Sequence, residues 1–424
     1  MFRSRPDLWG SASVYAVRVF NVALGAGLAI FAARWLAPAG QGQYATIAAA
    51  VDMGSQILNF GISSGLLVVL SREPGGLRLA RSRVYELAAA SLLILVLSLG
   101  LPSWLGAKAL LFAWWPILAL WIPLKLIRLH QTAMLTALKA YRPVAFAELA
   151  GRVASVLLGV AALLALRDLR TYLGALVAAD AIAALLAGAA LRRGAEAPMA
   201  SPSSKRDLAR QIARVALRAY PLLLLPWLVI RADLLLVRLF RGPVETGLYS
   251  IAAQVVEIGL LLPSTLGGFL VPALARDGAT AGDLWRLCRW LALVLLGCAA
   301  IAAIVGRPAI RLLFGAAYSD SYGALLLLLP GFWALSLETL LMQHFALADY
   351  PPFLTRYWLI TAGVNLGLNL VVIPRFGMLG AAATSSFGYA VIFVLVLRRF
   401  LRETKLKIGL TGPGLLRWPG GAGS

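Results

Sequence analysis

Along this 424-residue chain run about twelve stretches of roughly twenty or more apolar residues, each long enough to cross the hydrocarbon core of a bilayer. They fall at 12–34, 43–70, 84–104, 109–137, 143–166, 171–191, 213–239, 246–274, 284–305, 321–347, 353–373 and 378–399. Short breaks rich in Arg, Gly or Pro separate them. An open strand cannot cross lipid, because its edge groups stay unsatisfied, and barrel strands need an alternation that these runs lack. The fold expected is therefore all-α and integral to the membrane. Hydrophobic residues make up 61% of the chain and charged residues 13%, which excludes an ordinary soluble globule.

The formal net charge of +21 would suggest a nucleic-acid partner in a soluble protein, but here its location decides. The N-terminus, the even-numbered connections and the C-terminal tail hold about 24 Lys and Arg, against about eight in the odd-numbered connections. That bias predicts an even number of spans with both termini in the cytoplasm, as in a multi-pass protein of a bacterial inner membrane. Most of the charge is then topological, with attraction to anionic membrane lipids as a by-product. No nucleic-acid partner is expected. The first ten residues show no convincing cleavage pattern, so the first span is expected to stay in the mature protein.

The longest connection, Arg192 to Arg214, contains Pro198, Ser201, Pro202, Ser203 and Ser204 and reads as a linker. The division expected is a six-helix bundle over 1–191, a cytoplasmic linker over 192–212, a second six-helix bundle over 213–400 and a cytoplasmic tail over 401–424. The two bundles resemble each other. A shift of 205 residues brings Pro38 onto Pro243, Gly42 onto Gly247, Tyr44 onto Tyr249, Asp52 onto Glu257 and Gly54 onto Gly259. Later matches need shifts of 209 (Tyr141 with Tyr350, Pro143 with Pro352) and 206 (Leu173-Gly174-Ala175 with Leu379-Gly380-Ala381). Six helices separate the copies, an even number, so both enter the membrane in the same sense. That is a parallel repeat about an axis along the membrane normal, a transporter arrangement.

Several stretches carry a family resemblance: Pro38 to Tyr44, Phe60-Gly61, Arg231-Ala232-Asp233, Gly247 to Ala252, Val271 to Arg276, Leu313-Phe314-Gly315 and Ile373 to Ala382. In order and spacing the chain resembles the polysaccharide transporter branch, the Wzx-type oligosaccharide-lipid flippases, of the multidrug/oligosaccharidyl-lipid/polysaccharide exporter superfamily. The resemblance implies two six-helix bundles in a V around a central cavity. As cargo it implies an oligosaccharide on an undecaprenyl pyrophosphate carrier, moved outward by alternating access for O-antigen, capsule or exopolysaccharide synthesis. It also implies a polysaccharide polymerase and a chain-length regulator as partners. Lipid II flippases of the superfamily usually have two further helices, which argues against a peptidoglycan role. The sister branch offers another reading, an ion-coupled exporter of small molecules or drugs, and a membrane glycan polymerase or ligase is a third.

An ionisable side chain inside a span is costly unless it meets a partner or a wet cavity, so such residues are the candidates for function. A pyrophosphate cargo calls for guanidinium and ammonium groups, and the substrate-binding candidates are Arg18, Lys125, Arg128, Arg152 and Arg231. Lys125, Arg128 and Thr132 share one face of the fourth span, in a helix that Pro116 and Pro123 are placed to kink. Two readings stand for that face: a cationic stripe toward a cavity, or side chains snorkelling to the cytoplasmic interface. Glu148 and Arg152 have the i, i+4 spacing of a same-helix ion pair. Arg231 and Asp233, two apart, cannot face each other on a helix and should meet different partners.

Asp52, Asp180 and Glu257 have no basic residue at i±3 or i±4 in their own helices. With Asp233 they are the candidates for coupling to protons or sodium. Asn365 and Asn369 read as interhelical hydrogen bonders. No nucleotide loop, HExxH or external acidic pair is present, so no enzyme, no metal site and no cofactor is expected. Cys288 and Cys298 are badly placed to bridge.

Overall fold

The computed structural model describes residues 8–77, 80–82, 84, 114–194, 205–276, 281–346 and 351–405. Among them every long element is an α-helix and no strand occurs. The helices are α1 (Leu8–Asn59), α2 (Ile62–Arg72), α3 (Trp115–Ala137), α4 (Tyr141–Ala165), α5 (Leu169–Gly194), α6 (Lys205–Arg241), α7 (Pro243–Arg276), α8 (Ala281–Phe314), α9 (Ser321–Ala346) and α10 (Phe353–Thr404). Six helical stretches among the described residues are long and apolar enough to cross a membrane by length and composition alone. Most of the expected third span, 84–104, lies outside the described residues, as do 195–204 of the linker and 406–424 of the tail.

Two of these helices each hold two expected spans. In α1 the axis breaks at Ala37, with φ 53° and ψ 173°, just before Pro38. The proline ring bars the preceding residue from the α region, so the first span ends there and the second begins. In α10 the break is at Gly377, with φ 58°. Glu245, in the first turn of α7, accepts the Met378 N–H at 3.0 Å beside this break. The second span is interrupted again at Phe60 and Gly61, both at positive φ, before α2 continues.

The chain divides into two compact units, 1–227 and 228–424, with the division inside α6. The sequence repeat is visible in their backbones. Ala37 before Pro38 and Gly242 before Pro243 both take positive φ, and so do Arg167 and Gly377 at the fifth-to-sixth and eleventh-to-twelfth connections. Gly54 receives Ile122 of α3 in the first unit, and Gly259 receives Phe332 of α9 in the second. In both places a missing Cβ lets a large apolar side chain close on a neighbouring helix, the packing that small residues permit in membranes.

In the first unit the core gathers Leu28, Ile47, Trp121, Ile122, Tyr172 and Leu173 from α1, α3 and α5. Tyr44 meets Tyr172 edge-on at 5.5 Å. Asp168 caps α5, accepting the Thr171 N–H at 3.1 Å, and that bond holds its carboxyl below the usual carboxylate range. In the second unit α9 packs against α7, α8 and α10. Both cysteines are free thiols, Cys288 buried and Cys298 exposed.

Gly61 sets the approach of α6 to α2 within the first unit. It sits at φ 74°, and an added Cβ would run into the Ala216 carbonyl. Gly61→Ala therefore combines backbone strain with overpacking and should cost about 3 kcal/mol, read as a lowered unfolding midpoint in detergent. A midpoint equal to wild type would contradict this packing.

Candidate functional site

Three cations inside the spans meet three carboxylates from neighbouring helices. Lys125 of α3 pairs with Asp52 of α1. Arg128 of α3 pairs with Asp180 of α5, whose other oxygen accepts the indole N–H of Trp121 at 2.6 Å. Arg231 of α6 binds Glu257 of α7 through both guanidinium nitrogens, at 2.7 and 2.9 Å. This fork-on-fork contact is the strongest geometry available to an arginine and a carboxylate.

On α3, Trp121 stands four residues before Lys125, beside the two paired cations. The Lys125 ammonium lies 6.0 Å from the Trp121 ring centroid. Lys125 and Arg128 are half-buried in these pairs. A narrow pocket within the first unit reaches the same region, lined by Arg128, Thr132, Ala147, Glu148, Ala183 and Ala187.

Asp52, Asp180 and Glu257 looked unpartnered because only their own helices could be read; their partners come from other helices. The paired acids Asp52 and Glu257 are also repeat equivalents. Their cations are not, since Lys125 stands in the fourth span and Arg231 in the seventh.

The i, i+4 ion pair expected between Glu148 and Arg152 does not form among the described residues. Glu148 lines the pocket beside Arg128, while the Arg152 guanidinium lies 3.4 Å from where a Cβ on Gly25 would be. Gly25 leaves room on α1 for a planar cation, and contact with a second helix replaces the same-helix pair. Arg18 lies within α1, but its side chain is outside the described residues.

Arg231 and Asp233 do meet different partners. Asp233 is 1% exposed and accepts from the Tyr249 hydroxyl, from Ser385 Oγ at 2.6 Å and from the Leu234 N–H at 2.6 Å. Near Ser385, Asn365 donates to the Thr384 carbonyl at 3.2 Å, and Asn369 donates to Asn365 at 3.0 Å while accepting from the Thr384 hydroxyl. Asn365 thus ties the two halves of α10 together across the Gly377 break.

His130 is legible in the sequence as an ionisable group within a span, whereas Glu338 escaped the sequence reading. His130, 2% exposed, shares a 3.0 Å hydrogen bond with Asn59, which in turn donates to Ser63. Glu338, 3% exposed in α9, has its Oε1 buried without a hydrogen-bond partner. Its signal was available: a single acid in an otherwise apolar span, with no base within four residues. Among the described residues no group of three metal-ligating side chains occurs.

The chain aligns with 12% identity to "Lipid II flippase MurJ, inward closed conformation", covering 93% of this chain and 88% of that one with a TM-score of 0.71. An inward-facing multidrug resistance MATE family transporter of the MOP superfamily aligns with 13% identity over 91% and 94%, TM-score 0.69. A MOP superfamily transporter from Pyrococcus furiosus, described as having a binding pocket of reverse polarity, aligns with 13% identity over 92% and 93%, TM-score 0.64. At such identities these likenesses establish the fold. That fold and the apolar helices make the chain a multi-pass membrane protein. No curated protein matches. The family described as "Polysaccharide biosynthesis protein" matches residues 31–322, more than half of the sequence, and the chain belongs to that family.

Proposed function

We propose that this chain is a flippase that carries a lipid-linked oligosaccharide, on an undecaprenyl pyrophosphate carrier, from the cytoplasmic to the outer leaflet of a bacterial inner membrane. Both termini lie in the cytoplasm, and the glycan serves O-antigen, capsule or exopolysaccharide synthesis. A polymerase and a chain-length regulator act on the delivered glycan. The observation that supports this reading best is that Lys125, Arg128 and Arg231 are held within spans by carboxylates.

The physical argument concerns exchange of anions. A lone guanidinium in a span is expensive, and a carboxylate partner offsets much of that cost. A pyrophosphate presents the same kind of oxygen acceptors to the same nitrogens with more negative charge. As the head group binds, the displaced Asp52, Asp180 or Glu257 is left without its cation and takes up a proton or a sodium ion. Binding of cargo is then linked to uptake of a cation, which is coupling in the thermodynamic sense. Asp233, set among hydroxyls, is a further coupling candidate. Arg152, exposed and outside the ion pairs, and Arg18 complete the cationic set that meets the cargo. The cycle exposes these groups to the two sides of the membrane in turn.

Removing one member of the Arg231–Glu257 pair leaves its partner's charge uncompensated, and removing both does not. Arg231→Gln and Glu257→Gln alone should each lower stability by about 1–3 kcal/mol, whereas the double variant should recover most of that loss. Thermal unfolding in lipid nanodiscs measures it, and additive losses would show that the pair is not coupled.

The double variant, folded but without its guanidinium, should then move an undecaprenyl pyrophosphate glycan at least about tenfold more slowly in proteoliposomes. Wild-type flux in the double variant would remove Arg231 from the cargo path. Wild-type protein that ignores the glycan but exports cationic dyes would favour the exporter reading instead.

A further inference from the structure

Glu338 differs from the other carboxylates described within the spans, of which Glu148 is exposed and lines the pocket beside Arg128. Asp52, Asp180 and Glu257 each have a cation, and Asp233 has two hydroxyls and a backbone N–H. Among the described residues Glu338 has none of these. It is 3% exposed, its Oε1 is buried without a partner, and it sits in α9 between Leu337 and Leu341, themselves buried.

The described elements packed against it carry further charged groups. The stretch of α9 around Glu338 is bounded by Trp333, which donates to the Ala292 carbonyl of α8 and meets Phe393 of α10 edge-on, and by His344, which meets Phe400 of α10 edge-on. Between those contacts α8 carries Arg286, Cys288 and Arg289, and α10 carries Arg398 and Arg399. Arg286 pairs with Asp283, Arg399 with Glu403, and Glu257 of α7 with Arg231. No ion pair or hydrogen bond among the described residues joins any of these groups, or His344, to Glu338.

An ionised carboxylate in this position would have almost no solvent, and no cation or donor among the described residues, a cost that neutralisation removes. A sodium ion would need several oxygen ligands around it, and no polar atom of the described residues reaches Glu338 Oε1. A proton needs only the carboxyl itself. We propose that Glu338 is a proton-binding site of the second unit, loaded in this conformation, which releases its proton when movement of α9 admits water to the side chain. The second unit then holds two separate coupling chemistries, an ion-pair carboxylate at Glu257 and a neutral acid at Glu338. The coupling role of this proton rests on the transport reading above; its presence on Glu338 does not.

The test is an infrared difference spectrum at neutral pH between the wild-type full chain and Glu338→Gln, both reconstituted in liposomes. The expected result is loss of one protonated-carboxyl C=O band in the variant. Loss of carboxylate bands instead would overturn the proposal. Should the Gln variant fail to fold, Glu338→Met, apolar and of similar length, gives the same comparison. A protonated acid predicts that this variant folds, and collapse of both variants would show that a charged Glu338 is required.

In a second arm, flux of an undecaprenyl pyrophosphate glycan is followed with and without a pH gradient. Wild type should respond to the gradient and Glu338→Gln should not, and a retained response would contradict the coupling role. If wild type moves no glycan at all, the flippase reading fails, while the infrared band still decides the state of Glu338.

Discussion

A charge inside a bilayer must be neutralised, and in this molecule the neutralisation is done between helices rather than along them. Lys125 reaches from α3 to α1, Arg128 from α3 to α5, and Arg231 from α6 to α7. Each pair therefore fixes the rotation of two helices about their axes as well as masking a charge. Turning α3 by half a turn would send Lys125 and Arg128 away from both acids and expose all four groups to lipid. The apolar packing supplies the bulk of the contact, but the pairs select one arrangement of it.

The repeat explains why the frame for these pairs is built twice. A chain leaving the first span must turn and re-enter, and Pro38 and Pro243 place that turn at equivalent positions after a residue at positive φ. The glycines that follow, Gly54 and Gly259, then bring the fourth span of each copy close by accepting Ile122 and Phe332. Duplicated punctuation gives duplicated backbones. The side chains that carry charge have since diverged: Tyr44 packs on Tyr172, whereas its equivalent Tyr249 donates to Asp233. A carboxylate is kept at 52 and 257 with a cation brought from a different span in each copy.

This contrast marks what could be read from the sequence. The span positions, the all-α fold and the parallel repeat follow from run length, Pro and Gly placement and the even number of helices between copies, all local or periodic signals. The face shared by Lys125, Arg128 and Thr132 was legible for the same reason. Pairing across helices was not, because it depends on the rotation of one helix relative to another, which no spacing within a helix encodes. The Glu148–Arg152 spacing pointed to a local pair, yet Arg152 turns to the gap left by Gly25, a tertiary contact that overrides a weak i, i+4 attraction. Glu338 was legible as an isolated acid, but its lack of partners became a fact only when α7, α8 and α10 were seen around it.

Together these features describe a membrane protein in which Lys125, Arg128 and Arg231 are paired with carboxylates, and the flippase proposed above has phosphate take the place of those carboxylates. The central claim is that exchange, carboxylate for diphosphate on the same guanidinium. A cryo-electron microscopy structure of the chain with a bound undecaprenyl pyrophosphate glycan tests it most directly. The account predicts phosphate oxygens on the Arg231 guanidinium with Glu257 moved away; a head group bound elsewhere while the Arg231–Glu257 fork stays intact would contradict it.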